Sequence, residues 1–233
     1  MKKYLQSLLI ILIFLYGCNS HSTNHDTKFD NFHYSWDSLV SAKLFVYSRI
    51  DNKNLKAYHY YQVYSHDGMR YLISSNRGDG NIRDSSKSKI EGSKLTLLET
   101  YMIMKNPNGI DSRVARGEII ENVNEDLVRE SKIKYVNPFY NKIFAIIQVK
   151  EVFDTLISTN YKNTTYQCLC SKSKVKVTSK NNIPFLHKSF EKSMNSVFAK
   201  DLGLIQYTIT DKLKRESVTW RLDTILNYTD SRQ

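Results

Sequence analysis

Two cysteines one residue apart, Cys168-Leu169-Cys170, are the side chains of this sequence whose type and spacing most directly suggest chemistry. In a strand, residues two apart point to one face, so both thiols would aim the same way. A disulfide between them would close a small, strained ring, and a metal held by two thiolates needs further ligands. Packed reduced thiols, a labile redox pair and a metal site all stay open, and the ring strain favours the first. The other reactive groups are scattered. His59, His66 and His187 are far apart in sequence, and His66-Asp67 precedes a glycine, the pattern of a turn rather than of an acid/base pair. No Gly-x-Ser-x-Gly elbow, His-Glu-x-x-His helix or glycine-rich phosphate loop is present, so nothing in the sequence points to an enzyme.

The third cysteine, Cys18, ends an apolar run in the stretch FLYGCNS at 14–20. It could be a packed thiol, half of a disulfide or a point of lipid attachment. Lys2 and Lys3 precede an apolar core from Leu8 to Leu15, which is the layout of a secretory leader. That core is shorter than the roughly 20 residues a membrane-spanning helix requires. Leu15-Tyr16-Gly17-Cys18 resembles the lipobox of bacterial lipoproteins, with an aliphatic residue three before the cysteine and a small one directly before it. Tyr16 departs from the small residues usual at its position. The resemblance implies cleavage between Gly17 and Cys18, a diacylglyceryl group on the Cys18 sulfur and an acyl group on its new amino terminus. No other cofactor is expected. The lack of Asp at position 19, and of an acidic run after Cys18, resembles the sorting pattern of lipoproteins kept on the outer membrane and facing the periplasm.

The net charge of +11 on 233 residues would suggest nucleic acid for a cytosolic protein. Behind an export leader the expected partners are different: the membrane through the lipid anchor, and then anionic lipid, glycan or another envelope protein, with no nucleic acid. A surplus that serves only solubility explains the charge equally well.

The elements that would position these groups begin after a polar tether at 18–31, and His21, His25 and His33, in or beside it, are too loosely placed to form a metal site. A single domain is expected over 32–233. Lys43 to Ile50, Ala57 to Tyr64 and Met69 to Ser75 alternate as a three-strand meander, with Asp67-Gly68 supplying a tight hairpin. Residues 76–93 read as a long loop containing an Arg77-Gly78-Asp79 triplet, taken as a plain turn. Leu95 to Met104 suits a buried strand or helix, paired with Arg113 to Val123 if it is a strand. Asn124, with Glu125 and Asp126 behind it, can cap a helix. A second helix is expected at 189–200, where Phe190, Met194, Val197 and Phe198 fall at i, i+4, i+7 and i+8. Leu204 to Thr210 and Val218 to Leu226 form a closing hairpin.

Lys172, Lys174 and Lys176 share the parity of the two cysteines, which predicts a turn or bulge near Ser171-Lys172-Ser173 and an exposed lysine stripe beyond it. The expected fold is a β-dominated α+β domain, an antiparallel curved sheet forming a half-barrel or sandwich with one or two helices. Tyr58, Tyr60, Leu97 and Trp220 are the residues expected to line a ligand face. The function that follows is a non-enzymatic binding, carrier or scaffolding module of the cell envelope. Outward display as an interaction antigen is the alternative, and an envelope hydrolase ranks third.

Overall fold

The computed structural model describes residues 32, 34–78, 81–91, 94–106, 108–125, 127–180, 188–211 and 213–228. Cys18, Gly17, the leader and the tether lie outside these residues. Apart from a 3-10 turn at Trp36–Leu39, the regular structure among the described residues is strand. The strands are β1 (Lys43–Arg49), β2 (Lys56–His66), β3 (Met69–Gly78), β4 (Asn81–Glu91), β5 (Lys94–Lys105) and β6 (Ser112–Glu125), followed by β7 (Val128–Val136), β8 (Phe144–Tyr161), β9 (Thr164–Lys180), β10 (Lys188–Ala199), β11 (Gly203–Asp211) and β12 (Glu216–Asn227). Each pairs antiparallel with its neighbour in sequence, and β1 pairs with β12, so the described strands close a twelve-stranded barrel.

Alternation explains most of it. In β2, His59, Tyr61 and Val63 are buried while Tyr58, Tyr60 and Gln62 between them are not. In β7, Arg129, Ser131, Ile133 and Tyr135 are the buried set. Asp67 and Gly68 both have positive φ, 50° and 72°, as a two-residue hairpin of the expected kind requires. Lys162 and Asn163 do the same for β8–β9 with φ of 48° and 64°. Register shifts, including those at Val46/Tyr47, Asn76/Arg77, Phe153/Thr155 and Val197/Phe198, bend the sheet enough to close on itself.

The outer face carries charge on many strands. Lys87 and Lys89, Glu118, Lys132 and Lys134, and Lys172, Lys174 and Lys176 all occupy positions that alternate with buried ones.

The structure corrects several expectations. Closure replaces the half-barrel or sandwich. Neither helix forms: the Asn124 region is the end of β6 running into β7, and 189–199 falls in β10, with Lys200 in the turn after it. A spacing of four belongs to both periods, and in β10 the inward residues Phe190, Lys192, Met194 and Ser196 hide their alternation because two are polar. The shift at Val197/Phe198 completes the helical disguise. Residues 81–91, expected within a long loop, form β4, whose buried side is Asp84, Ser86, Ser88 and Ile90. The bulge expected near Ser171 to Ser173 sits instead on the partner strand, at Phe153/Thr155, while β9 stays paired with both neighbours from Cys168 to Ser179. The lysine stripe is exposed as expected.

Candidate functional site: the barrel interior and its two ends

The two ends of the barrel are built differently. The N-terminal segment crosses one end. Tyr34 makes an isolated bridge to Leu202, and its ring packs on Phe45 and Tyr61 with centroids 4.9 and 4.7 Å away. Leu39 is 0% exposed. Gly203, at φ 78°, lies under the Tyr34 ring, where an added Cβ would come within 2.3 Å of a ring carbon. Asp37 ties the segment down through an ion pair with Arg70 at 2.7 Å. Tyr47, just inside, donates from its hydroxyl to the Leu204 carbonyl at 2.9 Å. This end is plugged.

At the other end, the inward-facing side chains closest to the strand termini are apolar but only partly buried. Ala57 on β2, Met104 on β5, Phe190 on β10, Ile209 on β11 and Trp220 on β12 pack on the core while keeping some exposure. Trp220 stacks on the buried Tyr207 ring at 6.3 Å. Lys192 and Asp211 pair at 3.4 Å beside them, both largely buried. Among the described residues this end carries an apolar lining with one ion pair beside it; residues 79, 80, 107, 181–187 and 212, in the connections at the same end, lie outside them.

Between plug and mouth runs a polar belt, unusual for a barrel core. Ser74 and Ser86 hydroxyls are 2.8 Å apart, and Thr100 and Tyr135 hydroxyls 2.7 Å apart. Gly117 makes room for the second pair, since a Cβ there would lie 2.5 Å from Thr100 Cγ2 and 2.9 Å from the Tyr135 ring. On the far wall Glu151, 1% exposed, accepts from Ser171 Oγ at 2.5 Å and lies 3.7 Å from Arg129 Nη1. The Arg129 guanidinium sits 4.1 Å over the Phe153 ring. The hydroxyls of Ser88, Ser131 and Ser196 are buried with no hydrogen-bond partner in the structure.

Burial dominates the electrostatics of this belt. It pushes the Glu151 carboxyl up even against Arg129 and the two serines, and it raises Asp84 well above the ordinary carboxylate range despite the Asn76 amide that donates to it at 3.3 Å. His59 is pushed down to about 3 by the same desolvation and is a neutral imidazole at pH 7. These buried polar groups suit holding polar parts of a bound molecule, and His59, neutral at pH 7, is not placed to act as a base by taking up a proton near neutrality.

The expected ligand-face residues divide between the two faces. Leu97 and Trp220 point inward, Leu97 into the buried core and Trp220 to the mouth. Tyr58 and Tyr60 point outward, and Tyr60 packs beside Tyr228 and Arg77, whose Nη1 donates to the Tyr228 hydroxyl at 2.8 Å. Arg77 of the Arg-Gly-Asp triplet is thus held in β3, and Asp79 lies outside the described residues. His59 and His66 face opposite ways on β2, and His187 is not among the described residues. Cys168 and Cys170 are free thiols; Cys168 is buried, Cys170 partly so, and burial raises both, which keeps them protonated. Sequence reading missed Met104, Phe190 and Ile209 at the mouth and the Arg129–Glu151 pair. A strict two-residue periodicity applied through polar positions would have found both groups.

No family model matches the chain, and no curated protein does. Among solved structures, the chain is similar to a "putative lipoprotein" from Parabacteroides distasonis, at 13% identity over 84% of this chain and 99% of that one, with a TM-score of 0.48. It is also similar to a "putative exported protein with YmcC-like fold" from Bacteroides fragilis, at 11% identity over 80% of this chain and 95% of that one, with a TM-score of 0.46.

Proposed function

We propose that the protein is a lipid-anchored, non-enzymatic binding module of the bacterial envelope that receives an apolar or amphiphilic ligand through the mouth of its barrel. The observation that carries this reading is the contrast between the ends: Tyr34 and Leu39 plug one, while Met104, Phe190, Ile209 and Trp220 leave an apolar, partly exposed lining at the other. Partly exposed apolar side chains converging on a concave opening are the common form of a small-molecule site. Twelve strands also enclose more room than the eight that side chains just fill, and the belt contributes small serines rather than bulky residues. The Cys18 lipid, inferred from the lipobox resemblance, would hold the domain at the outer membrane on its periplasmic side.

Native mass spectrometry of the purified mature protein tests the ligand directly, and a co-purified lipid or glycan adduct is expected. Titration of a Trp36→Phe variant with palmitate, read by Trp220 fluorescence, should saturate with a blue shift. No adduct and no Trp220 response would overturn the reading. Labelling cells with radioactive palmitate tests the anchor, since label should vanish in Cys18→Ala.

A further inference from the structure

The loops around the open mouth carry a pattern that the ligand site does not use. Four of them end in exposed apolar tips: Leu55 between β1 and β2, Ile110 between β5 and β6, Tyr140 between β7 and β8, and Leu213 between β11 and β12. Ile110 is 88% and Leu213 78% exposed, so neither contributes to the core. Scattered single hydrophobics on a surface need no explanation, and the plugged end has its own in Val40, Met69 and Leu127; what sets this end apart is that Ile110 and Leu213, the two most exposed large hydrophobics among the described residues, both sit here.

These tips are also built to stay where they are. Asn106 Oδ1 accepts from the Ile110 amide at 3.1 Å, and Asp211 Oδ1 from the Leu213 amide at 3.1 Å. Asn137 Oδ1 accepts from the Tyr140 amide at 3.2 Å, and the Asn52 carbonyl from the Leu55 amide at 3.0 Å. Preformed turns of this kind lower the entropy lost when a tip is immobilised on a partner.

Among the described residues the charge between the tips is mainly positive. Lys53, Lys142, Lys188 and Arg215 are exposed at this end. The nearby acids are already engaged: Asp51 by Arg49 at 2.5 Å, Asp111 by Arg113 at 3.6 Å, Asp211 by Lys192 and Glu216 by Lys214 at 3.9 Å. Convex apolar tips set among cations match the head-group layer of a bilayer, where the tips enter the acyl boundary and the cations meet anionic lipid.

We propose that the open end of the barrel docks on an anionic lipid bilayer, with Leu55, Ile110, Tyr140 and Leu213 entering the head-group layer. This goes beyond the ligand reading and does not depend on it: docking uses the loop tips, uptake the inward wall. It would place the mouth against the source of an amphiphile.

The test uses the chain from Asn19, which lacks the anchor and keeps every described strand, so the barrel is complete. It should float with vesicles of phosphatidylcholine and phosphatidylglycerol, bind pure phosphatidylcholine more weakly, and lose binding in high salt. A double Ile110→Ser/Leu213→Ser variant should lose at least about tenfold in partition, and Lys142→Glu/Arg215→Glu a similar amount, with thermal unfolding unchanged. A Met104→Gln variant, aimed at the mouth wall, should float as wild type while losing the palmitate response, which separates the two readings. Absence of vesicle binding, equal binding by the tip variants, or capture of a protein by the tips without flotation would each overturn the proposal.

Discussion

Gly117 is the inward position where the space for one methyl group decides whether two hydroxyls can meet. A Gly117→Ala change pushes a Cβ against Thr100 and Tyr135, so it should cost roughly 1–3 kcal/mol by overpacking, read as a shift of the urea midpoint at constant slope. The Arg129–Glu151 pair behaves differently. Arg129→Ala strands a buried carboxylate and should cost roughly 3–5 kcal/mol, whereas Arg129→Met with Glu151→Leu should recover most of that loss in the same assay. His59 and Asp84 set opposed pH dependences. The folded chain declines a proton at His59 that the unfolded chain takes up near 6.5, so stability is complete above that pH and falls by about 1.4 kcal/mol per unit below it, until about 3. Asp84 keeps a proton that the unfolded chain gives up near 3.8, so its stabilisation is complete below that pH and is lost as pH rises through the higher folded value. Unfolding measured from pH 4 to 8 should therefore lose its acid-side slope in His59→Phe and its alkaline-side slope in Asp84→Asn.

The β8–β9 hairpin shows what a single element contributes. It outruns its neighbours, and the last residue of β8, Tyr161, donates from its hydroxyl to the Leu222 carbonyl of β12 at 2.9 Å. Tyr161→Phe removes only that bond and should cost about 1 kcal/mol, with faster amide exchange confined to the hairpin tip and β12. The legibility of the elements followed their inward residues. Strands β1 and β2 and the β11–β12 hairpin could be read because their inward positions are mostly aromatic or aliphatic, as with Phe45, Tyr47, Tyr61, Val63, Tyr207 and Leu222, and β3 could be read from its hairpin turn although Ser74, Ser75 and Asn76 are among its buried residues. Strands β4, β7 and β10 could not, because Asp84, Ser86, Ser88, Arg129, Ser131, Lys192 and Ser196 face inward, and polar residues there imitate loops, helix caps or a solvated stripe. The site suffered similarly. Tyr58 and Tyr60 shared their strand with the buried Tyr61, so aromatic residues lay on both faces and composition could not say which was inside. Closure was not legible at all, since it depends on how β1 meets β12, which no local pattern records.

At the scale of the whole molecule the barrel rests on that one non-local seam. Lys43 Nζ donates to Asn227 Oδ1, and the register runs from Lys43↔Asn227 to Arg49↔Trp220. A proline at Phe45, in the middle of β1 between β2 and β12, should abolish cooperative unfolding rather than lower its midpoint, because two edges open at once. Tyr34→Ala, in the plug, should cost roughly 3–5 kcal/mol yet leave a cooperative transition, as a large-to-small change in a core does. The seam joins the first described strand to the last. The barrel therefore cannot close until Glu216–Asn227 has been synthesised, so pairings begun earlier in the chain wait on β12 to complete the fold.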